Sequence, residues 1–240
     1  AEMIKYSANS LLATLISFSN EIGNLCATIG VDSQEVEKGV HLDERFSPLV
    51  NNKRVFPSSI KYLEAGCGFG GSCFPKDVRA LHAFGKKQNL SMQMLNSVIN
   101  INNTQPHEII SILKNKVPDY KNKKNILILG AAFKSNTDDI RDSATIPVLE
   151  ELLKMKFNIS LYDPIAGKNM QQLFKEKITL EDNLASSIKI NDIVILMTMW
   201  DEFINLPNII NKINPEIDLI DGRRQIDKNS VKNYFGIGLG

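Results

Sequence analysis

The sequence predicts an α/β chain, with an all-helical first half and then a Rossmann-like parallel sheet carrying helices on both faces. Three observations predict it. Long stretches before residue 117 repeat their apolar residues at helical spacing. A polar, lysine-rich segment follows from Pro118 to Lys124. Beyond it, short apolar runs alternate with helical segments, the rhythm of a parallel sheet. The expected division is therefore a helical domain over residues 1–117 and a sheet domain over 118–240.

The first element is one long amphipathic helix. Apolar residues recur at Ile4, Ala8, Leu11, Leu12, Leu15, Ile16, Phe18, Ile22, Leu25, Cys26 and Ile29, without proline, until Gly30 ends the run. Asp32 and Glu35 stand at capping-box spacing, so a short helix is expected to about Val40. His41 to Ser59, with two prolines and Asn51-Asn52, reads as loop. Helices are expected over about Lys76 to Gln88 and Ser91 to Lys116, the second kinked or split at Pro106. In the second half the expected strands are Ile126–Leu129, Ile159–Tyr162, Ile193–Met197, Leu219–Ile220 and Phe235–Ile237. The expected helices are Ala144–Met155, Gly167–Phe174 and Leu206–Ile213.

Composition narrows the function classes. Lys+Arg of 28 against Asp+Glu of 27 gives a net charge of +1, so no global field recruits nucleic acid or an acidic membrane, and any bound anion must be held locally. Cysteines at 26, 67 and 73 form no disulfide framework and no zinc spacing, which points to a reducing cytoplasm and no metal. No apolar run reaches the length of about 20 residues that spans a bilayer. The chain opens inside a helix and without methionine, from which a missing upstream segment is expected.

The richest stretch for chemistry is Gly66-Cys67-Gly68-Phe69-Gly70-Gly71-Ser72-Cys73-Phe74-Pro75-Lys76-Asp77. Gly68, Gly70 and Gly71 let the backbone approach a ligand, and Pro75 opens a helix, so Cys73 lies just ahead of a helix N-terminus. Peptide dipoles there favour an anion, the setting of a nucleophilic or redox thiol. The plainer reading is a small residue buried beside a turn. Cys26 falls on an apolar helix face and Cys67 reads as a bystander. Lys5 and Asn9 share one helix face and could hold an oxyanion, or form a solvated polar stripe. Asp77 could serve as a general base or merely suit a first helical turn. Gly130-Ala131-Ala132-Phe133-Lys134 follows the first sheet strand without being Gly-x-Gly-x-x-Gly, so no standard NAD pocket is expected there. Lys134, Arg141, Arg223 and Arg224 should reach the carboxyl edge of the sheet, where they suit a diphosphate or make a solvated basic rim.

The opening Ala1-to-Asn9 stretch and the Gly68-to-Asp77 motif belong with a third segment, Gly130-to-Lys134 followed by Thr137-Asp138-Asp139-Ile140-Arg141-Asp142-Ser143. Together they resemble the UDP-glucose/GDP-mannose dehydrogenase family across nearly the whole chain. The resemblance covers a central helical dimerisation domain and a C-terminal nucleotide-sugar-binding domain, without the family's N-terminal NAD domain. It implies oxidation of a sugar CH2OH to a carboxylate with NAD, through a thiohemiacetal and a thioester on Cys73. Lys5 and Asn9 are then implied to stabilise charge on the C6 oxygen, and Asp77 to act with water. It also implies substrate contacts from Tyr62, Leu63, Gly68, Gly70, Gly71, Phe133, Lys134 and Arg223, and a cofactor contact from Arg141. Arg45, which would reach a neighbouring subunit's site, precedes a longer loop than the family carries. The long first helix is implied as a homodimer core. UDP-glucose is the expected substrate and GDP-mannose the runner-up; Ser72 before the cysteine counts against N-acetylated sugars, whose branches carry histidine there. A non-catalytic nucleotide-sugar-binding module and a thiol redox sensor are the rival readings.

Overall fold

The computed structural model describes residues 2–240, so the expected helix start at Ala1 lies outside the described residues. The helical part comprises α1 (Glu2–Thr28), α2 (Ser33–His41), α3 (Phe74–Lys87), α4 (Gln93–Thr104) and α5 (His107–Lys116). Between α2 and α3 lie a hairpin of β1 (Leu49–Val50) and β2 (Lys53–Arg54) and a 3-10 turn at Ser58–Tyr62. The hairpin corrects the expected featureless loop. Asn51 and Asn52 take φ of 51° and 58°, the left-handed pair that joins two antiparallel strands tightly, and asparagine tolerates it. Pro106 does split the fourth and fifth helices, because its ring cannot continue the hydrogen-bond ladder.

The remaining elements alternate: β3 (Asn125–Leu129), α6 (Thr145–Lys154), β4 (Asn158–Tyr162), α7 (Gly167–Phe174), β5 (Thr179–Leu180), α8 (Leu184–Ile190), β6 (Ile193–Leu196), α9 (Leu206–Ile213), β7 (Asp218–Asp221) and β8 (Asn233–Gly236). Strand β5, of two residues, and α8, of seven, escaped the periodicity argument because neither is long enough to show a period; the Asn183 side chain caps α8 by accepting from the Ser186 amide at 2.9 Å. All six sheet strands are parallel in the order β5-β4-β3-β6-β7-β8. That is the doubly wound order, which reverses direction beside β3 and opens a crevice at the strands' carboxyl ends. Ile126 to Leu129 and Ile193 to Leu196 are fully buried, as befits strands covered on both faces.

The helical part and the sheet are not separately packed. Ile109, Ile110, Ile112 and Leu113 of α5 join the core of the sheet, whereas Ala13, Val78, Leu95 and Val98 form a smaller core among α1, α3 and α4. A polar strut also joins the two parts. Asp32 caps α2 by accepting from the Gln34 amide at 3.1 Å, and takes Arg224 Nη2 at 2.8 Å and Lys228 Nζ at 2.7 Å. Arg224 is itself buried and donates through Nη1 to the Ile237 carbonyl at 2.9 Å.

Burial alone would raise the Asp32 pKa, but the hydrogen bonds from Lys228 and Arg224 outweigh it and hold the carboxyl below its ordinary 3.8. The pair therefore stabilises the fold above the unfolded pKa and loses that contribution as pH falls through the lowered folded value. Near neutral pH, Asp32→Ala should cost about 3–5 kcal/mol, since it leaves Arg224 buried and unpaired. Urea unfolding of wild type and variant should show that gap narrowing as the solution is acidified.

Candidate functional site

The glycine-rich segment before α3 lies in the seam between the helices and the sheet, and buried polar groups on both sides hold it. On the helical side, Asn20 Oδ1 accepts the Gly66 N–H at 2.8 Å, Gln105 Nε2 donates to the Gly66 carbonyl at 2.8 Å, and Asn102 clasps both the N–H and the carbonyl of Phe69 at 2.7 and 3.0 Å. On the sheet side, Arg223 Nη1 donates to the Gly68 carbonyl at 3.1 Å while its Nε donates to Met197, and the Gly71 N–H donates to the Arg141 carbonyl at 2.8 Å. Contact is close enough that no side chain fits. A Cβ on Gly70 would stand 2.2 Å from the Asp142 oxygen, and one on Gly71, at φ +85°, 2.6 Å from the Phe133 ring.

Held this way, the segment delivers Cys73 to the N-cap of α3 with its thiol exposed and making no capping bond. Its Sγ lies 3.9 Å from Ser72 Oγ, and Tyr62, Phe69 and Phe74 form an aromatic group beside it with centroids about 6 Å apart. One turn into α3, Asp77 is fully buried. Its Oδ2 accepts from Asn9 Nδ2 at 2.7 Å and faces Lys5 Nζ at 3.6 Å; Lys76 Nζ stands 3.7 Å from Oδ1. Oδ1 is buried and has no hydrogen-bond partner among the described residues, with the Lys76 ammonium its nearest charge. The structure thus brings Lys5, Asn9 and Asp77 together, one helical turn from Cys73. The other loop thiol differs in kind: Cys67 is fully buried, donates to the Gly222 carbonyl, and burial pushes its pKa up to about 11.

From the sheet, Phe133 packs on Gly71 and Lys134 reaches over the Phe133 ring, 5.6 Å from its centroid. Arg223 joins them through its bond to Gly68. Arg141 contributes its carbonyl to the loop, while its guanidinium is exposed and paired with Asp139 at 2.7 Å. Arg224, expected on the basic rim, turns inward to Asp32 instead; a buried guanidinium with a carboxylate partner is more stable there than one left half desolvated. Arg45 is 84% exposed and bound to Asp43 at 2.6 Å, away from this cluster. Leu63 is buried, with His41 Nε2 bonded to its carbonyl, and the Ala65 N–H donates to Glu37. A cleft of about 300 Å³ opens beside this segment, between Glu37, His41, Glu64, Met199 and Arg223; burial raises the pKa of both glutamates. Among the described residues no group of three or more His, Cys, Asp or Glu is placed to hold a metal.

Pattern reading missed the residues that grip the loop. Asn20 and Asn102 are polar positions within α1 and α4, Gln105 caps the end of α4, and their only sequence signal was polarity among apolar neighbours. It also missed Asp163, at the end of β4, whose Oδ2 accepts from the Ala131 and Ala132 amides at 2.7 and 3.2 Å and from Trp200 Nε1 at 3.2 Å.

Sequence models of the UDP-glucose/GDP-mannose dehydrogenase family match the chain twice, the central domain over residues 1–104 and the UDP-binding domain over residues 127–228. The UDP-glucose 6-dehydrogenase AglM of Haloferax volcanii is 35% identical over 234 residues, which are 98% of this chain and 51% of that protein. YwqF, a UDP-glucose 6-dehydrogenase of Bacillus subtilis, is 34% identical over 93% of this chain and 48% of its own length. The structure of a UDP-glucose dehydrogenase from Pyrobaculum islandicum superposes with a TM-score of 0.83 at 29% identity, covering 99% of this chain and 51% of that one. The chain spans about half the length of the curated relatives it matches.

The three thiols should react unequally. An aromatic disulfide reagent should modify one thiol of the native chain rapidly and the other two only on unfolding, since Cys26 and Cys67 are buried and Cys73 is not. Cys73→Ala should abolish the fast phase; a fast phase that survives would place the accessible thiol elsewhere.

Proposed function

The chain belongs to the UDP-glucose/GDP-mannose dehydrogenase family, and we propose that it carries the substrate-binding and acid-forming machinery of an NAD-dependent nucleotide-sugar 6-dehydrogenase acting on UDP-glucose. The observation that carries the reading is the exposed Cys73 thiol at the start of α3, one turn from a buried carboxylate that holds an amide and an ammonium.

In the proposed reaction the Cys73 thiolate adds to the C6 carbonyl carbon of the aldehyde. The π electrons move to oxygen, where Lys5 Nζ and the second N–H of Asn9 would stabilise the charge. Covalent capture keeps the aldehyde from escaping. By the family resemblance the thiohemiacetal is oxidised to a thioester. Asp77 would then orient a water and take its proton as that water attacks the acyl carbon and the thiolate leaves. Phe133, Lys134 and Arg223 would hold the diphosphate side, the Gly68, Gly70 and Gly71 backbone the sugar, and Tyr62 and Leu63 the nucleoside. Arg141 would turn to the cofactor and Arg45 to a neighbouring subunit's site.

NAD is the hydride acceptor the resemblance implies. The loop after β3 does not fit it, because Asp163 already takes the Ala131 and Ala132 amides that a dinucleotide's phosphates would need. The reading also sets the protein in the reducing cytoplasm, where an exposed catalytic thiol stays reduced.

Homodimerisation through α1 belongs to the same proposal. Ile4, Leu11, Phe18 and Leu25 recur every seven residues along α1 and are 54–76% exposed, with Ala8, Leu15, Ile22 and Ile29 alternating between them. That spacing is the 3.5-residue period of a coiled-coil seam, and a second copy of α1 would cover it.

Three outcomes test the reading. UDP-glucose should raise the melting temperature of the chain more than GDP-mannose does, and Lys134→Ala should weaken UDP-glucose binding roughly tenfold or more, the loss of one charge-assisted contact; a larger shift with GDP-mannose reverses the substrate assignment. In the chain fused to a family NAD-binding domain, Cys73→Ala should bind nucleotide sugar but form no acid, so acid production at the parent rate would sink the covalent route. Sedimentation equilibrium should find a dimer that Phe18→Glu dissociates, and a monomer at high concentration would remove α1 as the interface.

A further inference from the structure

In a dinucleotide-binding sheet, the acidic residue after the second strand reaches a ribose, and the first strand's loop offers its amides to phosphate. Here the two meet each other. Asp163 follows β4, the second sheet strand in chain order, and its carboxylate accepts five N–H donors. Oδ2 takes Ala131 N at 2.7 Å, Ala132 N at 3.2 Å and Trp200 Nε1 at 3.2 Å; Oδ1 takes Ile165 N at 2.9 Å and Ala166 N at 2.6 Å. Bonds to Ile165 and Ala166 are local, of the kind any aspartate makes at a turn before a helix. Those to Ala131 and Ala132 cross to another strand's loop and are not.

We propose that Asp163 is a built-in anion, standing where a ligand phosphate would otherwise sit, and that it thereby positions Phe133 and Lys134 for the nucleotide sugar. The second half rests on the function proposed above. Ala131 and Ala132 directly precede Phe133 and Lys134, so the carboxylate sets the path of the backbone that carries them. The same oxygen is tied to the opposite arm of the crevice: Trp200, which donates to Asp163, accepts from Gln225 Nε2 at 2.9 Å, one residue beyond the Arg223-Arg224 turn. One carboxylate therefore sets both arms. Its oxygens are fully engaged and nearly buried, which makes Asp163 a positioning residue and not a catalytic one. Asparagine could not replace it, because its single carbonyl oxygen cannot serve donors on both sides and its NH2 would face N–H groups.

Anion rescue tests this. In the chain as it stands, formate should raise the melting temperature of Asp163→Ala by about 2–4 °C over the same concentration of chloride and leave wild type unmoved, because it refills the vacated amides. Calorimetric titration of UDP-glucose should show Asp163→Ala weakened roughly tenfold, with affinity recovered in formate, whereas the loss in Lys134→Ala should not be recovered. Should the alanine variant fail to fold, Asp163→Asn is titrated in its place, and a wild-type affinity in it overturns the proposal. So does an Asp163→Ala protein that binds UDP-glucose as wild type does, or whose melting ignores formate. If wild type and Lys134→Ala handle UDP-glucose alike, the substrate reading falls, and the formate dependence of melting still decides whether Asp163 is the built-in anion.

Discussion

Everything at the candidate site depends on how the Gly66–Gly71 backbone is gripped. Six residues of irregular chain run through a seam where water is largely excluded, so their N–H and carbonyl groups must find protein partners or carry a desolvation cost of about 1–3 kcal/mol each. Asn20, Asn102 and Gln105 supply those partners from the helices and Arg223 from the sheet. The glycines do the complementary work of letting Phe133 and Asp142 come within van der Waals contact of bare backbone. As a result the exposed thiol at the start of α3 is aligned by both parts of the molecule at once. A shift of the sheet against the helices would move it.

Charge is handled locally throughout. The chain is almost neutral, yet three of its buried or half-buried carboxylates occur in matched sets: Asp77 with Asn9 and Lys5, Asp32 with Arg224 and Lys228, Asp221 with the Arg223 and Ile226 amides and Tyr234. Burial raises the pKa of Asp221 and of Tyr234, whose hydroxyl donates to it, so that pair acts as a hydrogen-bonded brace below the Arg223 turn. Asp163 does the same for the loop after β3. A sheet of this order ordinarily offers its first loop to a ligand phosphate, and filling that loop with a carboxylate from the neighbouring strand removes one binding mode while stiffening the wall of another.

Helix α1 serves two surfaces. One face presents Lys5 and Asn9 to Asp77 and Asn20 to the loop; the other carries the apolar seven-residue repeat to solvent. Because both lie on one rigid rod of 27 residues, whatever packs on the outer face also bears on the orientation of the inner one.

By itself the sequence determined whatever depends on local periodicity. Apolar residues at helical spacing wrote the long helix, alternating apolar runs wrote five of the six sheet strands, and the glycine cluster with Pro75 located the thiol at a helix start. Tertiary structure alone decided where the polar side chains went. Arg223 and Arg224 are adjacent and chemically identical, yet one holds the Gly68 carbonyl and the other is buried against Asp32, because the positive φ of 53° at Arg224 sends successive side chains in different directions. Asn102, Gln105 and Asp163 act on groups that lie more than thirty residues away along the chain. No local pattern encodes such a partner, since a hydrogen bond is specified by distance and direction in space, and those exist only once the helices and the sheet have packed.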